Sequence, residues 1–412
     1  MIPKPAKYIS DFEHMGFGMF IHYGLYSQIG RGEWIYSIEK LDMKEYSKLF
    51  NTFTAKDFDA DDIVKTAKNA GCKYIVLTTR HHEGFSLYDT KGLSDYDSVH
   101  SPAKRDLVRE FVDACHREGI SPFLYHTTLD WYNEDYKNDF NKYLGYLRDS
   151  IKVLCTEYGK IGGFWFDGNW DKPDADWQDD ELYGIIRKYQ PDAMIINNSG
   201  LRARGKAAVK EIDAVTFEQG IPTMIDREGE EKYRAAEMCN TMNDHWGVCN
   251  DDIEYKSPRE LINGLCQCRK VGANYLLNIG PTADGGIVTI QREYLKMIGK
   301  WIGVYGEALY NVKPYIYDNG GEDFVVKSDD GKSLYFYCIH PGAGGDENVT
   351  VNMGEYSITK FSGFKDEISK IYWLDNNEEL RFKQNGSECE VEFTYFPYRY
   401  NYCIRVAKAE LK

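Results

Sequence analysis

The sequence predicts an α/β protein: a (β/α)8-like, TIM-type catalytic barrel over residues 1–310, followed by an antiparallel β-sandwich over residues 311–412. Three observations predict it. The chain has 412 residues, which suits one barrel of roughly 250 to 300 residues and a second domain of about 100. From residue 17 to about 308, short apolar runs of β type alternate with longer amphipathic stretches, the pattern of a parallel sheet wrapped by helices. After Pro314 helical periodicity disappears, and short alternating segments separated by Gly, Asn and Asp take over.

The elements follow in order. Phe17–His22, Tyr74–Thr79, Ser121–His126, Gly163–Asp167, Ala193–Asn198 and Asn274–Ile279 read as strands, rich in β-branched and aromatic residues. Between or after them lie helical patterns at Ala60–Ala70, Asp106–Glu118, Asn138–Tyr158, Asp179–Tyr189, Ser257–Lys270 and Thr289–Tyr305. Six strands are distinct where a closed barrel needs eight, so closure is inferred from the span. Beyond the boundary at 308–314, strands are expected at Asp323–Lys327, Ser333–Ile339, Asn348–Met353, Ile371–Trp373, Cys389–Thr394 and Tyr402–Ala407.

Composition narrows the function classes. Hydrophobic residues make up 42% and charged residues 28%, which is globular. The 65 Asp and Glu outnumber the 50 Lys and Arg, a net charge of −15 that repels phosphate backbones and argues against nucleic acid as a partner. No apolar run reaches the roughly 18 to 20 residues of a membrane span. The opening MIPKPAKYISDFEHMGFGMF lacks the basic and apolar regions of a secretory signal, which predicts a cytoplasmic location. The ten cysteines are spread through apolar segments and read as buried free thiols. The one close pair, Cys266 and Cys268, is a residue short of the CxxC spacing of zinc and redox sites. The 8 Trp, 32 Tyr and 20 Phe suit a site that packs flat faces on a ligand such as a sugar ring.

Polar residues crowd the C-terminal ends of the predicted strands, where α/β barrels carry their active sites. His22, His81, His82, Tyr125, His126, Asp167, Asn197 and Asn198 all stand there. A lone histidine is most often a satisfied core residue, and His22, His81 and His82 could in principle ligate a metal. Adjacent residues on an extended segment point to opposite sides, which disfavours His81 and His82 on one ion. Neutral imidazoles offering one donor and one acceptor each suit a polyhydroxylated ligand better. Asp167 follows the buried run Phe164-Trp165-Phe166 and precedes Gly168, the setting of a carboxylate held rigidly at a strand end. Glycoside hydrolysis needs a second carboxyl group. Glu218, Glu237 and Asp213 are the candidates, and spacing does not choose between them.

These motifs resemble the α-L-fucosidases of glycoside hydrolase family 29. FIHYG at 20–24, GEW at 32–34, YIVLTTRHHEGF at 74–85 and GANYLLNIGPTADG at 272–285 are similar to family segments in the same order. The resemblance runs from Gly16 to about Tyr310. It implies a retaining exo-α-L-fucosidase that removes terminal α-L-fucose from an oligosaccharide or glycoside through a covalent fucosyl-enzyme intermediate, with no metal or organic cofactor. It assigns Asp167 as nucleophile and Glu218 as acid/base, with Glu237 in reserve. It implies that His22, His81, His82, Glu33 and Trp34 bind the fucose hydroxyls. Trp165 and Trp246 would line the pocket on the methyl side of the sugar, and Tyr125 or His126 would sit near the nucleophile. The family often places Arg after the paired asparagines, where this chain has Ser199, so Arg202 or Arg204 would have to substitute. The rival readings are a barrel glycosidase for a related 6-deoxy or galacto-configured sugar and an inert carbohydrate-binding protein. A homo-oligomer is compatible with either.

Overall fold

The computed structural model describes residues 1–198, 205, 209–344 and 355–412. By internal contacts the chain divides into two units. One comprises Met1–Gly220, Ile225–Tyr255 and Tyr275–Lys296; the other comprises Ile221–Met224, Lys256–Asn274 and Met297–Lys412.

The barrel is closed and has eight parallel strands: β1 (Phe17–Ile21), β2 (Tyr74–Arg80), β3 (Ser121–Thr127), β4 (Gly163–Asp167), β5 (Met194–Asn197), β6 (Ala214–Glu218), β7 (Ala235–Asn240) and β8 (Asn274–Ile279). Neighbours in sequence are neighbours in space, and β1 pairs with β8 from Phe17↔Tyr275 to Ile21↔Ile279. Six of these strands are expected from sequence. The two that are not, β6 and β7, read AVTFE and AAEMCN, and their Ala and Glu have low strand preference in isolation. Burial against the barrel overrides that local preference.

Because side chains alternate along a strand, every second residue enters the barrel. Phe20, Val76, Tyr125, Trp165, Ile196, Ala214 and Cys239 share one buried interior cluster. Ile9 and Phe12, from the helix Lys7–Met15, belong to the same cluster. The Phe12 ring lies 5.3 Å from Tyr74 and 5.8 Å from Phe123, near the strands' N-terminal ends. That helix plugs the barrel floor, and the opposite rim stays open.

The second unit holds a five-stranded and a three-stranded antiparallel sheet. The first contains β9 (Val312–Ile316), β10 (Phe324–Ser328), β11 (Ser333–Cys338), β13 (Ile368–Trp373) and β16 (Arg405–Leu411), in the order β13-β16-β11-β10-β9. The other contains β12 (Tyr356–Ser362), β14 (Phe382–Asn385) and β15 (Glu388–Thr394), in the order β12-β15-β14. Phe336 and Trp373 from one sheet and Phe361 and Phe393 from the other join a single apolar core, so the sheets form a sandwich. The expected strand at Asn348–Met353 lies outside the described residues. The helix Pro258–Lys270 starts at a capping box in which Ser257 and Glu260 satisfy each other's backbone amides.

Candidate active site

At the open rim, Phe20, His22, Trp34, His81, His82, Tyr125, Trp165, Asp167, Trp170, Asn198, Glu218, Cys239 and Trp246 enclose about 410 Å³ of empty space.

Asp167 ends β4, and Gly168 follows with φ +119°. A Cβ at Gly168 would sit 2.6 Å from the Leu129 backbone nitrogen, so the turn after β4 requires glycine. The turn brings Trp170 back, and its Nε1 donates to Asp167 Oδ1 at 2.9 Å. Asn198 Nδ2 reaches the same oxygen at 3.4 Å. Oδ2 has longer contacts, with Tyr125 OH at 3.3 Å and His82 Nε2 at 3.5 Å. The better-held Oδ1 leaves Oδ2 as the oxygen freer to react.

Glu218 ends β6, and its Oε2 accepts from Asn198 Nδ2 at 2.6 Å. The Thr216 hydroxyl donates to Asn198 Oδ1 at 3.0 Å, which fixes the amide's orientation. One amide nitrogen therefore bridges the two carboxylates. Its legs of 3.4 and 2.6 Å cap the separation of Asp167 Oδ1 and Glu218 Oε2 at 6.0 Å.

The histidines are held in defined roles. Asn278 Nδ2 donates to the Trp246 carbonyl at 2.7 Å, so its Oδ1 accepts the Nδ1 proton of His22 at 2.7 Å. Burial pushes His22 down to about 3, so it is neutral and its Nε2 is an acceptor for a ligand hydroxyl. The Thr127 hydroxyl donates to the Leu129 carbonyl and accepts from His82 Nδ1 at 2.7 Å, which turns His82 Nε2 toward Asp167. His81 lies 4.2 Å from the His82 ring and is nearly parallel to Tyr125 at 5.7 Å. Burial, then the neighbouring His82 and His22, hold it far below the ordinary histidine range. Burial, then the charge of Asp167, raises the Tyr125 phenol, which stays neutral and donates. Among the described residues, no group of three or more His, Cys, Asp and Glu side chains is placed to hold a metal ion.

Tryptophans supply the apolar walls. Trp34 meets His82 at 5.4 Å and Trp170 at 5.7 Å, while Trp246 lies 5.1 Å from His22. Trp165 stacks on Tyr125 at 5.7 Å.

A sequence profile described as "Alpha-L-fucosidase" matches residues 4–307. The chain belongs to the α-L-fucosidase family. It is 30% identical to the tissue alpha-L-fucosidase of Bos taurus, over 93% of this chain and 83% of that one. It is 31% identical to the tissue alpha-L-fucosidase of Homo sapiens, over 82% and 76%. Among solved structures it resembles alpha-L-fucosidase isoenzyme 1 from Paenibacillus thiaminolyticus, at TM-score 0.83 and 30% identity, covering 98% of this chain and 99% of that one. The fold also matches an alpha-L-fucosidase of Bacteroides thetaiotaomicron trapped as a covalent intermediate with 2-fluoro-fucosyl fluoride, at TM-score 0.82 and 23% identity, covering 100% and 98%. The protein is thus an α-L-fucosidase, a glycoside hydrolase.

In this fucosidase, the pocket brings together His22, Trp34, His81, His82, Tyr125, Trp165, Asp167, Glu218 and Trp246. Three expected residues stand elsewhere. Glu33 Oε2 accepts from the backbone nitrogens of Trp246 at 3.1 Å and Gly247 at 2.8 Å, so Glu33 fixes the loop that carries Trp246. His126 alternates with the inward Tyr125 and Thr127 and turns outward, its Nε2 3.4 Å from Tyr88 OH. Glu237 lies mid-strand beneath the pocket, fully buried, accepting from Trp165 Nε1 at 2.8 Å and Tyr74 OH at 2.5 Å. Ser199, Arg202 and Arg204 lie outside the described residues. Sequence reading missed Trp170, whose signal was its position one turn after Asp167, and the bridging role of Asn198.

Proposed function

We propose that the protein is a retaining exo-α-L-fucosidase acting through a covalent fucosyl-enzyme intermediate. Asp167 is the nucleophile and Glu218 the acid/base. The observation that carries this is the shared Asn198 amide, which holds the two carboxylates' nearest bonded oxygens within 6.0 Å. Retaining glycosidases space their carboxyl groups about 5 to 5.5 Å apart, and inverting ones about 6.5 to 9.5 Å to admit a water. The covalent intermediate trapped in the Bacteroides thetaiotaomicron fucosidase supports the same chemistry.

In the first step, Asp167 Oδ2 attacks the anomeric carbon while Glu218 gives its proton to the departing glycosidic oxygen. In the second, Glu218 takes a proton from water, which attacks the same carbon and releases Asp167. His22 Nε2 accepts from a sugar hydroxyl, and the tryptophan walls exclude competing water. The four tryptophans lining the pocket support exo action on one terminal sugar.

Turnover of an aryl α-L-fucoside by wild type, Asp167→Gly and Glu218→Ala, each with and without azide, tests the assignment. The expected result is a loss of at least about a thousandfold in Asp167→Gly, with azide rescue through β-fucosyl azide. In Glu218→Ala, azide restores turnover with the opposite product anomer. Full activity in Asp167→Gly would overturn the nucleophile, and net inversion by wild type would overturn the retaining mechanism.

A further inference from the structure

A wider, open cleft lies beside the pocket at the same rim, with roughly 1990 Å³ of empty space, and the two chemical steps above make no use of it. Trp131 lines the cleft, and its ring stands 5.3 Å from Trp34 and 5.5 Å from His82, both of which line the pocket. Trp131 packed on Trp34 and His82 therefore forms a wall between the two spaces. The loop after β3 holds it firmly. Trp131 N donates to the His82 carbonyl at 2.8 Å, and the buried Asp130 carboxylate accepts from Tyr132 N at 2.9 Å and Asn133 N at 2.8 Å.

The cleft surface has the chemistry of a neutral sugar site. Tyr36 packs 5.1 Å from Trp131, and Tyr132, 40% exposed, stacks on Tyr96 at 4.0 Å. Tyr146, whose hydroxyl accepts from the buried Arg80 Nη1 at 2.7 Å, adds a further aromatic ring to the lining. Lys44, Lys137 and Lys142 are outnumbered by Asp42, Asp130, Glu134 and Asp135, so no positive field selects an anionic ligand.

We propose that this cleft seats the leaving-group side of the substrate as a neutral oligosaccharide of two or more sugars, with ring faces on Trp131 and Tyr132. The inference rests on the fucosidase reading and specifies its substrate class: fucosylated oligosaccharides over simple fucosides.

The test compares kcat/KM for an aryl α-L-fucoside and a fucosylated lactose trisaccharide in wild type, Trp131→Ala and Tyr132→Ala, with lactose as a competing ligand. Tyr132→Ala is the cleaner variant, because that ring stacks on Tyr96, whereas Trp131 packs on the pocket residues Trp34 and His82. The expected result is a fall of about tenfold on the trisaccharide, the size of a well-packed aromatic contact, with the aryl fucoside unchanged within about twofold. Lactose should inhibit wild type competitively and Tyr132→Ala more weakly. Equal losses on both substrates, no loss on either, or no inhibition by lactose would overturn the cleft assignment and leave the fucosidase reading intact. Wild type cleaving neither substrate would overturn that reading, and this inference with it.

Discussion

Glu218 is the last residue of β6 and Glu237 the third of β7, and that difference in depth decides what each can do. Glu218 reaches the pocket; Glu237 is sealed beneath it, with both oxygens engaged by Trp165 and Tyr74. Burial raises Glu237 from the ordinary 4.5 to about 7. A carboxyl group whose folded pKa is raised keeps its proton in the native state after the unfolded chain has lost it. Its contribution to stability is therefore full below about 4.5 and is lost as pH rises to about 7. Glu237→Gln keeps an acceptor for Trp165 and a partner for Tyr74. It should retain kcat within a few-fold and lessen the fall in melting temperature across that window. Glu237→Ala should lose activity by loosening Trp165, with no rescue by azide. Strong azide rescue in Glu237→Ala would make it the acid/base after all. His22 runs the other way: its pKa is depressed to about 3, so its burial costs stability as pH falls from about 6.5 toward 3.

At the scale of elements, the turn after β4 is the most constrained, since Gly168 combines φ +119° with a backbone neighbour where a side chain would stand. Gly168→Ala should cost about 2 kcal/mol or more of stability and lower kcat by displacing Asp167 and Trp170. Circular dichroism melting and steady-state kinetics check both, and an unperturbed melt with full kcat would show that the turn can relax. Elements also show what a sequence carries. β2 and β4 were legible because apolar runs, β-branched in YIVLTT and aromatic in FWF, persist out of context, and their ends marked His81, His82 and Asp167. β7 was not, because its Ala-Ala-Glu opening becomes a strand only when neighbours bury it, and β6 was not, because Val215, Thr216 and Phe217 make too short a run to stand out. The pairing of Asn198 with both carboxylates was illegible for a related reason: it depends on β4, β5 and β6 meeting across gaps in sequence. Outward His126 failed as a ligand candidate through a one-residue parity that motif matching ignores.

For the whole molecule, the helix Lys7–Met15 matters more than its length suggests. Phe12 is fully buried against Tyr74 and Phe123, so Phe12→Ala should destabilise by about 3 to 5 kcal/mol. Chemical denaturation measures that loss, and kcat at a temperature where the variant is folded should stay near wild type. A small change in stability would show that the floor can refill. The plug also has a consequence for traffic. With the floor stoppered, the rim is the chamber's doorway among the described residues, and what arrives and what departs share it. On the proposed two-step mechanism, the severed leaving group has to clear the doorway before a water can come in behind it, and freed fucose leaves by the same route. Whatever lingers at the threshold therefore governs whether water or another sugar hydroxyl collects the fucosyl group.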